Sequence, residues 1–316
     1  MKHTLKISIV IITMFLIAQF AGLYVVNSYA TQKVVNGEVV NQTGKILPYG
    51  MGFNSNDQNL ETGSVIFSFL FSLLIMIGLI LVLIKFKARF IMRAWFFVVS
   101  VIGTGISFTA FLPEIKYAST IALVFAIPLV VGKVYKRSMI AHNFSELLIY
   151  PGIAAIFAQV LNLHEVLILL GIISIYDLWA VWKSGLMMKM AKFQMNELNI
   201  LGGIMIPYAS KKVKEKIKNM RKKYKNKESF EKAIKKSKLK AQVAILGGGD
   251  IAYTILTAGV VLKVWGLTCA LIVIAGALLG LSYLVFFGEK KKMYPAMPFI
   301  TAGIFLAMII CGMFIL

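Results

Sequence analysis

Cysteine and acidic side chains are scarce in this sequence, and their scarcity excludes several classes of protein. The 316 residues contain two cysteines and 13 acidic residues, against 34 lysines and arginines. Two cysteines give little support to a disulfide framework or a metal site. Because Cys269 and Cys311 lie inside apolar segments, we expect them to act as small hydrophobic side chains. A zinc protease would need a His-Glu-x-x-His motif, which is absent, and we predict no metal and no cofactor.

Polar residues are too few for an ordinary soluble protein. Hydrophobic residues make up 59% of the chain, where about 45–50% is typical of soluble domains, and the mean hydropathy is +0.81. The apolar residues form long blocks, each near the roughly 20 residues that cross a bilayer as a helix. The formal charge of +21 lies between these blocks, so we assign it to membrane topology and predict no nucleic-acid partner.

The hydropathy pattern predicts an all-α polytopic membrane protein with nine transmembrane helices. The predicted spans cover residues 6–26, 65–84, 91–112, 117–134, 144–163, 166–183, 241–262, 266–287 and 295–316. The first span is flanked by Lys2, Lys6 and the small residues Ser28 and Ala30, as in a cleaved signal peptide. Its apolar region is longer than the roughly 7–15 residues of a signal core, which favours a retained helix.

Lysine and arginine alternate between the loops and set the predicted orientation. The connections after the second, fourth, sixth and eighth spans are basic, and the alternate connections are poor in positive charge. By the positive-inside rule the N-terminus is cytoplasmic and the C-terminus lies outside. The chain then divides into a six-helix bundle at residues 1–183, a cytoplasmic basic loop at 184–240 and a three-helix bundle at 241–316. The lysine-rich part of the loop, residues 211–240, is predicted to bind anionic lipid headgroups.

Two aspartates stand well inside predicted spans. An aspartate at the centre of a span costs about 2.5–3.5 kcal/mol on insertion scales and is a functional candidate by default. Asp177 precedes Lys183 by six residues, which puts it about 9 Å deep at the helical rise. Asp250 follows Lys240 by ten residues, or about 15 Å by the same rise. Both lie in the inner half of the membrane, on consecutive antiparallel helices, so we expect them to meet.

Two carboxylates that meet at low dielectric share one proton, because both cannot ionise cheaply. Such a pair suits peptide hydrolysis, in which one group activates a water and the other protonates the carbonyl oxygen. The three glycines at 247–249 remove side-chain bulk before Asp250, although small residues are also common in ordinary helix packing. Pro295 and Pro298 remove two backbone donors at the start of the last span and leave backbone that could bind an extended substrate.

These motifs together resemble those of the presenilin and signal peptide peptidase family of intramembrane aspartyl proteases. Tyr176-Asp177 resembles the Tyr-Asp motif, Gly247-Gly248-Gly249-Asp250 the Gly-x-Gly-Asp motif, and Pro295-Ala296-Met297 the Pro-Ala-Leu motif, with Pro298 matching the presenilin version. The order of the motifs, the span count and the hydrophilic insertion also match. The chain looks most like a microbial, archaeal-type homologue. Two positions depart from the pattern: Met297 replaces leucine, and Gly248 stands where leucine is common in animal members.

The resemblance implies cleavage of transmembrane helices within the bilayer. Asp177 and Asp250 would be the catalytic dyad, Tyr176 and Gly247 to Gly249 would shape the site, and Pro295, Ala296, Met297 and Pro298 would engage the substrate. It also implies an integral membrane protein, expected in the plasma membrane of a microbe. Whether the chain works as a homo-oligomer or with partner subunits stays open.

The alternative function is a proton-coupled transporter or channel, because buried aspartates on broken helices also serve ion pathways. A serine protease is disfavoured because His142 and His164 lie at the edges of predicted spans. A non-catalytic scaffold would not require two aspartates inside spans, and we rank it last.

Overall fold

The computed structural model of the chain describes residues 5–35, 38–42, 44–51, 62–86, 88–136, 138–185, 194, 202–208, 242–288 and 294–314. The lysine-rich segment at 211–240 and the lysines at 290–292 lie outside these residues. Within them the protein is mostly helical. Its helices are α1 (Leu5–Tyr29), α2 (Thr62–Lys85), α3 (Arg89–Phe111), α4 (Ala118–Val134), α5 (Met139–Val160), α6 (Leu163–Trp182), α7 (Gly248–Phe287) and α8 (Met297–Phe314).

Long apolar segments make most of these helices long enough to cross a membrane. By length and composition alone, six of the described helices qualify, and α4 and α8 are shorter apolar helices. Helix is the expected form because hydrocarbon offers no hydrogen-bond partner for the backbone, so each segment must satisfy its own N–H and C=O groups.

Helix α7 is broken at one residue. Its 40 residues would extend about 60 Å as a continuous helix, twice the roughly 30 Å core of a bilayer. Gly266 interrupts it with φ 86° and ψ −179°, a conformation that only glycine adopts without strain. The two arms, residues 248–265 and 267–287, correspond to the predicted spans at 241–262 and 266–287.

The core of the bundle lies around α7. This helix packs most extensively on α8, and then on α1 and α5. Phe15 and Val25 of α1 are fully buried, and Gln19 in the same helix donates a hydrogen bond to the Ile251 carbonyl of α7 at 3.4 Å. In contrast, the described side chains of α2 are only half-buried or exposed, so α2 is the most loosely packed of these helices.

Two antiparallel hairpins complete the described structure. Strands β1 (Gln32–Val35) and β2 (Glu38–Asn41) follow α1. Strands β3 (Ile204–Tyr208) and β4 (Gln242–Leu246) pair in the register Ile204 with Leu246 and Tyr208 with Gln242. The β3–β4 hairpin thus links the insertion to the start of α7.

The second hairpin corrects two predictions. Residues 242–246 were predicted to open a transmembrane helix, but they form β4, and the helix begins only at Gly248. The run Gln-Val-Ala-Ile-Leu finds a pairing partner in β3, and the glycines that follow disfavour an earlier helix start. The depth predicted for Asp250 assumed a helix from Lys240, whereas Asp250 lies in the first turn of α7.

Candidate active site

Asp177 lies near the C-terminal end of α6, directed at the beginning of α8. The side chain of Asp177 is 9% exposed. Its Oδ2 accepts a hydrogen bond from the Met297 backbone N–H at 3.2 Å, and the backbone N–H of Ala296 also interacts with this carboxyl group. The first N–H groups of a helix have no partner inside the helix, and they carry partial positive charge. The start of α8 therefore forms a binding site for the Asp177 carboxylate.

A second contact fixes α6 against α8 close to this site. The Ser174 and Thr301 hydroxyl groups are hydrogen-bonded at 2.6 Å, and both residues are buried. Ser174 lies one turn before Asp177, and Thr301 lies one turn after Met297. The two helices therefore meet through paired polar groups over a full turn. This holds the backbone donors of α8 in place beside Asp177.

Asp250 lies in the first turn of α7, directly after the β3–β4 hairpin. Gly247, the residue before the helix, has extended φ and ψ of −61° and 139°, so the chain changes from strand to helix at this residue. The carboxyl group of Asp250 folds back toward it, since a Cβ added at Gly247 would lie 2.8 Å from Asp250 Oδ2. The charge of Asp177 acts on the Asp250 carboxyl group. The two predicted aspartates thus lie on helices α6 and α7, which pack against each other.

A buried polar face of α5 adjoins this turn, and the sequence analysis missed it. His142, Glu146 and Tyr150 recur every four residues on one face of α5 and are all at least nine-tenths buried. The Tyr150 hydroxyl donates to Glu146 Oε2. Glu146 Oε1 forms an ion pair with Lys133 Nζ of α4 at 2.6 Å. The predicted span began at residue 144, whereas α5 begins at Met139 after the Ser138 cap, so His142 lies in the first turn of α5 and Glu146 in the second.

The same face of α5 covers one edge of β3. The Gly203 N–H donates to Glu146 Oε2 at 3.0 Å, and His142 Nε2 donates to the Gly203 carbonyl at 2.8 Å. Asn143 pairs with both backbone groups of Met205, at 2.8 and 2.9 Å. Backbone N–H and C=O groups alternate in direction along a strand, so those of Ile204 and Ile206 are directed at β4. By the register of the pair, the backbone groups of Val243 and Ile245 in β4 are directed away from β3.

The glycines before Asp250 have different surroundings. A Cβ at Gly248 would lie 2.2 Å from the Tyr150 hydroxyl oxygen, whereas a Cβ at Gly249 would meet nothing within 4 Å. The Tyr150 hydroxyl is also within electrostatic range of Asp250. Close packing of Tyr150 therefore explains glycine rather than leucine at position 248 in this chain.

The remaining predicted site residues divide into two groups. Met297 is 4% exposed and holds Asp177 through its backbone, while Pro295 and Ala296 precede α8 and Pro298 lies in its first turn. Tyr176 is different: its ring is 38% exposed and contacts Trp179 on the same helix. Polar residues at every fourth position of an apolar segment were the available signal for the α5 face, because that spacing places them on one side of a helix.

Comparisons with known proteins agree with this geometry. Residues 45–315 match the family described as signal-peptide peptidase, presenilin aspartyl protease. A search of curated proteins gives no significant match.

Two solved structures of a presenilin-family intramembrane aspartate protease are similar to this fold. The structure in space group C222 is 17% identical over 95% of this chain and 94% of the other, with a TM-score of 0.55. The structure in space group P2 is 18% identical over 96% of each chain, with a TM-score of 0.57. At this identity the likeness shows a shared fold, and the family match covers most of the chain. The chain therefore belongs to the signal-peptide peptidase and presenilin family and is an intramembrane aspartyl protease.

Proposed function

We propose that Asp177 and Asp250 are the catalytic pair that hydrolyses peptide bonds of transmembrane helices in this protein. One observation carries the proposal: the two aspartates, 73 residues apart in the numbering, lie on helices α6 and α7 that pack together, within range for the charge of Asp177 to act on Asp250. An aspartate inside an apolar segment is costly unless it serves a function. Two such residues, one near the end of a helix and the other at the start of a neighbouring helix, suit acid–base hydrolysis.

The chemistry follows from the shared proton of a close carboxylate pair. The ionised carboxylate takes a proton from a water, and the water oxygen attacks the peptide carbonyl carbon. The protonated carboxyl group donates its proton to the carbonyl oxygen, which gives a tetrahedral intermediate without a covalent bond to the enzyme. Collapse of the intermediate breaks the C–N bond as a proton passes to the leaving amine. Either aspartate can fill either role.

The free edge of β4 supports binding of the substrate as an extended strand. The backbone groups of Val243 and Ile245 point away from β3, and among the described residues none pairs with them. A substrate segment that adds to this edge would gain main-chain hydrogen bonds and would run toward Gly247 and Asp250. The Pro295 to Pro298 segment lies beside Asp177 and would contact the same segment.

An apolar groove supports entry of the substrate from the lipid. A groove of about 670 Å³ lies between α2 and α5 and includes Phe69 and Phe157. The same two phenylalanines line a second cavity of about 130 Å³, which reaches Ala252 and Tyr253 just after Asp250. An apolar helix of a substrate would fit this groove, because the groove is apolar and α2 packs loosely on its neighbours.

The membrane arrangement is part of the proposal. We propose nine spans with α7 counted as two, a cytoplasmic N-terminus and an external C-terminus. We further propose that residues 211–240 bind anionic headgroups, and that the protein resides in the plasma membrane of a microbe. The break at Gly266 and the alternation of basic loops support this topology.

A cleavage assay tests the catalytic pair. Purified protein in detergent is incubated with a single-span peptide, with and without an aspartyl-protease transition-state analogue. The variants Asp177→Asn and Asp250→Asn are compared with Glu114→Gln, which removes an exposed carboxylate from a loop. We expect each aspartate variant to lose at least about a hundredfold in rate, the analogue to inhibit the wild type, and Glu114→Gln to be unaffected. Cleavage that persists in either aspartate variant would refute the pair, and proton flux in liposomes would then test the transporter alternative.

A further inference from the structure

We propose that Asn143 and Glu146 of α5 are positioning residues for proteolysis, which fix the β3–β4 hairpin so that a substrate strand on β4 reaches the aspartates in one register. This inference rests on the proposed roles of Asp177 and Asp250. It adds a part of α5 that carries none of the motifs of the sequence analysis.

Helix α5 holds the outer edge of β3, beginning at Gly203, through four hydrogen bonds. Glu146 and His142 bind the two backbone groups of Gly203, and Asn143 binds the two backbone groups of Met205. The next residue with the same orientation is Pro207, which has no N–H to donate. These side chains therefore replace a neighbouring strand along this edge, so that within the described residues the edge of this sheet left for a substrate is that of β4.

The start of β3 is packed tightly against the turn before Asp250. Gly203 has φ +118°, and a Cβ there would lie 2.3 Å from the Leu246 carbonyl oxygen and 3.3 Å from the Gly248 nitrogen. Only glycine allows this close approach in this conformation. A displacement of β3 at Gly203 is thus transmitted directly to the last residue of β4 and to the first residue of α7.

The polar face of α5 also contacts this turn directly. Tyr150 donates its hydroxyl proton to Glu146 and packs against Gly248. Glu146 in turn is held by Lys133, whose Nζ also lies 3.4 Å from Ser100 Oγ of α3. One carboxylate, Glu146, therefore connects α4, β3 and the turn that carries Asp250.

The position of the hairpin determines which peptide bond of the substrate reaches the aspartates. Slipping a strand by one residue moves the peptide by about 3.3 Å, whereas misplacement by about 1 Å can already cost a hundredfold in rate. If α5 fixes the hairpin, loosening it lowers kcat and spreads cleavage over neighbouring peptide bonds. A residue that only stabilises the fold would reduce the amount of active enzyme and leave the cleavage position unchanged.

The test compares two amide side chains of α5. Asn143→Ala removes both bonds to Met205, and the control Gln159→Ala removes a bond of the same type to the Tyr29 carbonyl at 3.1 Å, at the other end of the helix. Both side chains are half-buried. Rates are expressed per folded site, counted by titration with the transition-state analogue, and the products are identified by mass spectrometry.

We expect Asn143→Ala to lower kcat about tenfold, with KM changed less, and to increase cleavage at adjacent bonds. Gln159→Ala is expected to keep both the rate per site and the cleavage position. Asn143→Asp retains an acceptor for the Met205 N–H and is expected to recover part of the rate and the position, which also provides a measurement if the alanine variant folds poorly.

Equal rates and equal products for the position-143 and position-159 variants would overturn the inference. That result would leave the catalytic pair untouched, provided that Asp177→Asn and Asp250→Asn remain inactive. Activity in the aspartate variants would instead overturn the proposed function itself.

Discussion

Position 248 illustrates how a single side chain decides what the turn before Asp250 tolerates. A Cβ added at Gly248 would collide with the Tyr150 hydroxyl group, whereas a Cβ added at Gly249 would meet nothing within 4 Å. The two residues are adjacent in sequence and chemically identical, and both stand in the first turn of α7. Substitutions at these two positions therefore separate the effect of close packing from the effect of losing a glycine.

We predict that Gly248→Ala lowers the rate of cleavage about a hundredfold, because the methyl group must displace either Tyr150 or the helix that carries Asp250. Gly249→Ala is the matched control and is expected to retain most of the activity, since alanine favours helix more than glycine does. The rates of both variants are compared per folded site. Tyr150→Leu combined with Gly248→Ala should regain part of the rate. Equal losses at 248 and 249 would contradict the packing account.

A charged residue within an apolar segment can be recognised from the sequence. A residue whose role depends on partners from distant segments cannot. Asp177 and Asp250 were visible because a charge within such a segment is rare, and the helices that carry them pack together. That the two carboxyl groups meet stays a prediction. Glu146 did not stand out in the sequence, because its importance depends on Lys133 and Gly203, which the fold brings to it from separate segments. The backbone N–H of Met297 that binds Asp177 has no signature in side-chain chemistry at all.

At the scale of elements, the second arm of α7 and α8 pack with their backbones in close contact. A Cβ at Gly303 would lie 2.1 Å from the Gly276 carbonyl oxygen, and one at Gly280 would lie 2.2 Å from the Phe299 carbonyl oxygen. Small residues of this kind let helices approach in membranes, where lipid is as apolar as the side chains. This close packing of α8 on the second arm of α7 holds the start of α8, which binds Asp177.

We predict that Gly303→Ala destabilises the protein by about 1–3 kcal/mol, because the methyl group meets backbone that cannot move aside easily. Gly312→Ala on the same helix is the control, since a Cβ there meets nothing within 4 Å. Thermal unfolding in detergent, followed by circular dichroism, compares the two variants with the wild type. Unchanged unfolding temperature for Gly303→Ala would argue against tight packing of α7 on α8.

Most helices were predicted from hydropathy to within a few residues, and the hairpin was not. Long apolar runs specify helix in a membrane because no other local structure satisfies the backbone. Strands β3 and β4 are five residues each; β3 lies within the insertion at 184–240 and β4 follows it. Their pairing depends on contacts with α5, which the pattern of a single segment does not contain.

At the scale of the whole molecule, the distribution of charge predicts which ends of the helices face the cytoplasm. Lys136 lies in the α4–α5 connection and Lys116 in the α3–α4 connection, and both are exposed. The positive-inside rule places the first inside the cell and the second outside. The native cysteines, Cys269 and Cys311, are unpaired and buried, so introduced cysteines can be detected against a low background.

We predict that a membrane-impermeant maleimide labels Lys116→Cys in intact cells and labels Lys136→Cys only after permeabilisation. Each variant serves as the control for the other, and the wild type measures the background from the two native cysteines. The reverse pattern would show an inverted topology.

A double-mutant cycle on inhibitor binding measures whether Asp177 and Asp250 act as one site. Affinity for a hydroxyl-containing transition-state analogue is measured for the wild type, for Asp177→Asn, for Asp250→Asn and for the double variant. Groups that work as a unit are strongly non-additive. We predict that each single variant loses nearly as much affinity as the double variant. Losses that simply add, or a single variant that binds as tightly as the wild type, would contradict the account.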